Sequence, residues 1–283
     1  MKPYRTCESS QLHTGASKCA PNFEIMRGAI LMAPGQKLPA DLTADELEKL
    51  VHADLPNRAY VIVRFAEYAK NGGEVQTAAN GYDGERPTGV SARKDTFTLN
   101  AFNPILDASL TEGFNQERDV YFFDGDNILY GIDDGTDEMA GYPMNSVYSD
   151  TTPFRTSSAS PTQTITFVHS DAKVAKTKFQ FRKLAFNINS KSLVTGLIPV
   201  EIVPTSDGNG TFKILEQIGG YDVTAIYGPL LVAAGEDVVL APASAITYNS
   251  KDKTIECAGG NTVPRIAQPS VLLEKGIKGI EQV

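Results

Sequence analysis

Apolar residues alternate with polar ones, or follow one another briefly, in many short runs separated by Gly, Pro, Asn and Asp. Such runs, rich in Val, Ile, Thr, Tyr and Phe, predict strands. They fall at residues 59–66 (AYVIVRFA), 95–99 (DTFTL), 119–123 (DVYFF) and 128–132 (ILYGI). Further along they recur at 163–169, 177–187, 192–203, 211–217, 221–227, 236–241 and 246–249. Helical periodicity appears twice. In residues 41–51, Thr43 is a candidate N-cap and Glu46 completes a capping box. Leu47, Leu50 and Val51 share one face, and Pro56 stops the run. In the second, Asn103 is the cap, Pro104 the first helical residue and Gly113 the stop, with Ile105, Leu106 and Leu110 inward. The runs at 119–123 and 128–132 form the clearest hairpin, turning at Asp124-Gly-Asp-Asn127. Both are apolar at consecutive positions, so both sheet faces are expected to be covered. Residues 71–91 carry the turn signals NGG, NGYDG and RPTG, and read as a long functional loop or a loosely held hairpin.

These elements predict a mainly β protein: a β-sandwich or barrel-forming core with one or two short helices. Four segments are expected. Residues 1–28, polar and aperiodic, read as an extended N-terminal arm, and 29–189 as a β domain with two short helices. Residues 190–262 read as an Ig-like β module or an extension of the sheet, and 263–283, with two prolines, as a C-terminal arm. A Ser/Thr/Pro-rich stretch at 149–162 connects the early strands to the later ones.

Composition sharpens this picture. With 283 residues, 41% of them hydrophobic, the chain can build real cores. Its 24 Gly and 16 Pro favour many short elements. The net charge is −8 and unevenly spread: residues 95–171 hold thirteen acidic residues against Arg118 and Arg155. That stretch reads either as a solvated acidic face or as a surface that repels a polyanion. The first residues, MKPYRTCESSQLHTG, lack an apolar h-region, and the apolar run 29–33 is too short to span a bilayer. The expectation is a protein made in a cytosol and used there or packed into something assembled there, with the mature form of a secreted protein as the alternative. Cys7, Cys19 and Cys257 form no CxxC; free thiols are expected, with a Cys7–Cys19 bridge as the alternative.

Tests for chemistry eliminate one class after another. His13 falls in the arm, His52 on the polar side of its helix, where a surface position is expected, and His169 at a strand end. HExxH, GxSxG, GxxxxGK[ST] and GxGxxG are all absent. Asp124, Asp126 and Asn127 begin like a calcium loop, but Ile128, Leu129 and Gly135 stand where an oxygen ligand, Gly and Glu are required. A cation held among Asp124, Asp126, Asp133 and Asp137 competes with the plainer reading of two Asp-rich turns. Paired-carboxylate glycosidase chemistry normally comes with aromatic sugar platforms, and this chain has no Trp. The reading is a non-enzyme without cofactor.

Three segments carry a resemblance: 47–65 (LEKLVHADLPNRAYVIVRF), 94–110 (KDTFTLNAFNPILDASL) and 119–141, with its VYFFD-turn-ILYG-turn-G texture. Over roughly half the chain they resemble structural proteins of tailed bacteriophages, particularly tail-tube proteins of phages of Bacteroidetes-type hosts. The resemblance implies a virion protein assembled in the host cytoplasm. It implies self-association into rings, expected to be hexameric, that stack into a tube through which DNA passes without specific binding. Other virion proteins are implied as partners, and no membrane insertion. A DNA-facing acidic lumen is then expected from Asp119, Asp124, Asp126, Asp133, Asp134, Asp137 and Glu138. The inter-ring loop is expected from Asn71, Gly72, Gly73, Asn80, Gly81 and Asp83. Competing readings are another virion part (head–tail connector, tail terminator or capsid-decorating protein) and, from another class, a carbohydrate-binding or adhesin β-sandwich.

Overall fold

Alternation of inward apolar and outward polar side chains turns most of the expected runs into strands. The computed structural model describes residues 24–39, 41–79, 81–113, 115–152, 154–155, 160–190, 193–205, 210–235, 237–240, 246–257 and 263–283. Two compact units emerge: the chain up to Leu47 with Ala59–Ser190, and Glu48–Arg58 with Lys191–Val283. The protein is mainly β.

The first unit begins with β1 (Met26–Met32) and β2 (Lys37–Leu38); helix α1 (Ala44–Val51) follows, with Glu48–Val51 counted in the second unit. Next come β3 (Tyr60–Val63), β4 (Phe65–Gly72), β5 (Val75–Ala79), β6 (Glu85–Val90), β7 (Arg93–Leu99) and helix α2 (Pro104–Glu112). The unit continues through β8 (Arg118–Asp124), β9 (Ile128–Ile132), β10 (Met139–Ala140), β11 (Tyr142–Thr152), β12 (Thr162–His169), α3 (Val174–Thr177) and β13 (Phe179–Lys183). Eleven strands join in one sheet that forks at β8. One edge of β8 pairs with β1; the other is shared by β9 at Phe122 and Phe123 and by β11 at Arg118–Val120. The path β8–β11–β12–β7–β4 and the branch through β1 and β3 contribute to one core, with Ala29, Phe65, Phe97, Phe122, Ile165 and Phe167 among its buried residues. Residues 120–124 and 128–131 are all buried, as expected of strands covered on both faces.

Several expectations need correction. The single strand at 59–66 is two strands, because Arg64 takes φ 70° and turns the chain from its pairing with β1 to a pairing with β7. The run 177–187 divides into the end of α3 and β13. Both helix caps are present: Thr43 N donates to Glu46 Oε2 and Glu46 N to Thr43 Oγ1, and the Asn103 side chain accepts from Ile105 N and Leu106 N. The inward face of α2 is Leu106 and Leu110 without Ile105, which is 46% exposed. Of the expected N-terminal arm, residues 26–28 belong to β1, and residues 1–23, with Cys7, His13 and Cys19, lie outside the described residues.

The second unit contains β14 (Ile198–Pro204), β15 (Thr211–Glu216), α4 (Thr224–Ala234), β16 (Val239–Leu240), β17 (Ile246–Asn249), β18 (Thr254–Cys257), β19 (Arg265–Ile266), α5 (Pro269–Glu274) and β20 (Ile280–Gln282). Five strands run in the order β17-β18-β15-β14-β20, with β14 and β20 parallel. Where an Ig-like sandwich would add a second full sheet, α4 packs on β15, β17 and β18 and buries Leu231. The expected strand at 221–227 is thus mostly helix. The Asp222 side chain accepts from Thr224 N at its start, and Gly235, with φ 87°, ends it. Residues 263–283 are no arm: Ile266, Leu272, Ile277 and Ile280 are buried in this core. Arg58 grips Glu281 through two N–O contacts of 2.9 and 2.7 Å, and Asp54 accepts from Ser270 Oγ at 2.7 Å.

Candidate functional site

Inward positions of β7 are Arg93, Asp95, Phe97 and Leu99, so the strand's alternation carries a charged pair into an apolar face. Asp95 lies opposite Phe167 of β12 and Lys70 of β4; Tyr68 lies opposite Phe97. Cross-strand register therefore converges on Asp95. Its Oδ1 accepts from Tyr68 OH at 2.8 Å and Arg93 Nε at 3.2 Å. Its Oδ2 sits 2.9 Å from the Arg93 guanidinium and 2.6 Å from His169 Nε2. Asp95 and His169 side chains are only 3% and 2% exposed.

These groups form one wall of a cavity of about 240 Å³. Met26, Phe97, Phe122 and Phe179 supply apolar lining, and Tyr130 and Tyr142 supply phenols. Tyr68 and Phe179, 50% and 43% exposed, leave its mouth open to solvent. Behind it the rings interlock: Phe97 stacks on Phe65 at 4.4 Å and meets Phe167 edge-on at 5.7 Å. The Tyr142 ring stands edge-on to His169 at 5.9 Å.

Electrostatics explain why a carboxylate persists here. Burial raises the Asp95 pKa, but the His169 hydrogen bond and the Arg93 charge outweigh it, and the carboxyl ends below its usual range. Burial, reinforced by Asp95, pushes the Tyr68 phenol up to about 12, so it remains a donor. Burial also raises Tyr142 and Tyr130; the latter donates to Asp124 Oδ2 at 2.6 Å. With four contacts Asp95 is saturated. The aromatic lining offers ring faces and edges to an apolar or aromatic group.

The acidic residues singled out from the sequence are dispersed. Asp124 is fully buried and accepts from Asp126 N, Ile128 N and Tyr130 OH, so it holds the β8–β9 turn and faces no lumen. Asp119 accepts from Gly35 N at 2.7 Å. Asp133 and Asp134 accept within their own turn, and Asp134 also pairs with Lys37. Asp126, Asp137 and Glu138 are exposed. The two turns sit at opposite ends of β9, about 17 Å apart at the rise of an extended strand. One cation therefore cannot gather Asp124, Asp126, Asp133 and Asp137, and among the described residues no cluster of three metal-ligating side chains occurs.

His52 departs from its expected surface position. It is 1% exposed, its Nδ1 lies 2.9 Å from Glu48 O, and its Nε2 has no hydrogen-bond partner. Asn71, Gly72, Gly73, Gly81 and Asp83 fall at the base and tip of the β5–β6 ribbon; Asn80 lies outside the described residues. Gly72 and Gly73 take φ 72° and 71°, and a Cβ on Gly72 would meet Ala92 O at 2.0 Å, so the ribbon leaves the main sheet at a point only glycine accommodates. Sequence reasoning missed Tyr68, Arg93, Asp95 and Tyr142, and took His169 for a lone strand-end residue. The signal was the charge on the apolar side of the alternation in 93–99 and 163–169. No protein-family model matches this chain, and neither does any curated protein sequence.

Proposed function

We propose that this chain is a structural virion protein that self-assembles into rings stacked as a phage tail tube, a conduit for DNA. The observation that supports this best is the β5–β6 ribbon. All of β5 and all of β6 except half-buried Val90 are exposed, with Val75 at 57%. A two-stranded ribbon alone in water is marginally stable, so one left this exposed among the described residues suits a partner. Beside it, the outer edge of β4 pairs with no other described strand. An open edge of this kind is a template for another copy, and closing a barrel across subunits removes it. The net charge of −8 suits a conduit in which DNA slides without sticking.

Negative-stain electron microscopy of the purified protein across a concentration series tests this. Rings or hollow tubes of constant diameter are expected, with a lumen wide enough for duplex DNA. A dispersed monomer at every concentration refutes the reading.

A further inference from the structure

The cavity is lined largely by aromatic rings, and the ribbon tip exposes one. We propose that the cavity receives the Tyr82 ring of a second copy of this chain, so that copies join tip to base. This rests on the self-assembly reading and specifies its contact. Tyr82, at the ribbon tip, is fully exposed, with a relative accessibility of 111%. The cavity, at about 240 Å³, exceeds the roughly 150 Å³ that admits a benzene ring. Its Phe122, Phe179 and Tyr142 offer edges and faces for an incoming ring. The incoming hydroxyl would meet the Tyr142 hydroxyl and the outer N–H groups of Arg93.

The chain's own tip stands away from the cavity, so the tip that reaches it is that of another copy. Arg93 and Tyr68 stand at the ribbon's base, and Tyr82 lies nine positions beyond Gly73, about 30 Å at the rise of an extended strand. Charge agrees. Lys70, exposed, is the cross-strand partner of Asp95 and shares the sheet face of Tyr68 and Arg93. Residues 79–85 hold two acidic residues and no basic one. Made in one direction, a tip-to-base contact is heterologous and propagates into rings or stacks; made reciprocally, it would stop at a dimer.

The chain has no Trp, so full-length Y82W carries a single indole at the tip. Its emission should be that of an exposed indole in dilute protein. It should move to the blue and resist acrylamide quenching at the concentration where sedimentation detects assembly. Y82A should require about tenfold more protein to assemble, as expected for loss of an aromatic hot spot. K70E, at an exposed position, should shift the assembly midpoint in the same direction. If Y82A assembles at the wild-type concentration and the introduced indole remains quenchable in assembled Y82W, the proposal is overturned. Another segment or a free aromatic molecule then fills the cavity, and the tube reading stands. A wild type that stays monomeric at every concentration overturns both.

Discussion

Asp95 is the residue on which the cavity wall depends. Three donors, from Tyr68, Arg93 and His169, are aimed at one carboxylate in an apolar setting, so its removal strands all of them. D95A is expected to cost about 3–5 kcal/mol, the range for breaking a buried ion pair. D95N, which keeps the shape, should cost about 1–3 kcal/mol. The sign of the pH dependence follows from the lowered pKa. A carboxyl that titrates below its ordinary 3.8 in the folded protein stabilises the fold fully above that value. The contribution fades as pH falls through the folded-state pKa. The stability gap between wild type and D95N should therefore be wide at neutral pH and shrink progressively as pH falls below 3.8. Urea midpoints across that pH range check this; a constant gap contradicts it. The pattern R-x-D-x-F-x-L in β7 already placed Asp95 inward. Its partners were not legible, because Tyr68 and His169 lie 27 and 74 positions away in sequence.

At the scale of elements, removing the β5–β6 ribbon tests its proposed role in assembly apart from folding. Gly73 N donates to Ala92 O at 3.1 Å, so the two arms of the base are already in contact. Replacing residues 74–91 with Gly-Gly should close β4 and β7 into a short hairpin. Because the ribbon is exposed almost throughout, the melting temperature should stay within about 2 °C of wild type, while rings disappear from the micrographs. A large fall in melting temperature would show that the ribbon belongs to the fold. Strand and hairpin reading worked where turn chemistry was local: the Asp124–Asn127 turn and the Asn103 cap sit where their residue types place them. It failed at 221–227, where β-branched residues suggested a strand. The run TAIYGPLLVAA is apolar nearly all round and gains more by covering β15 and β18 as a helix.

For the whole molecule, net charge bears on the proposed assembly. Copies of net charge −8 repel one another, and the repulsion acts over the Debye length, about 10 Å at 0.1 M salt and 3 Å at 1 M. Raising salt from about 0.05 to 0.5 M should lower the protein concentration at which rings appear, read by sedimentation. A midpoint that rises with salt would mean that attraction between opposite charges dominates the interface. The two cores, one around Phe97 and Phe167 and one around Phe212 and Ile214, show how the chain spends its apolar residues, and the C-terminal segment joins the second of them.

Local pattern alone determined that the protein is mainly β, where its clearest hairpin turns, how its first two helices are capped and that 71–91 stands apart. Each depends on neighbours a few residues away, and propensity, capping and turn geometry act over that range. Tertiary structure decided the rest: the fork at β8, the helix in the second unit, the burial of His52 and Asp124, and the meeting of Tyr68, Arg93, Asp95 and His169. These depend on which strand lies beside which. Register between distant strands is set by the fit of whole faces, which no local window of the sequence contains.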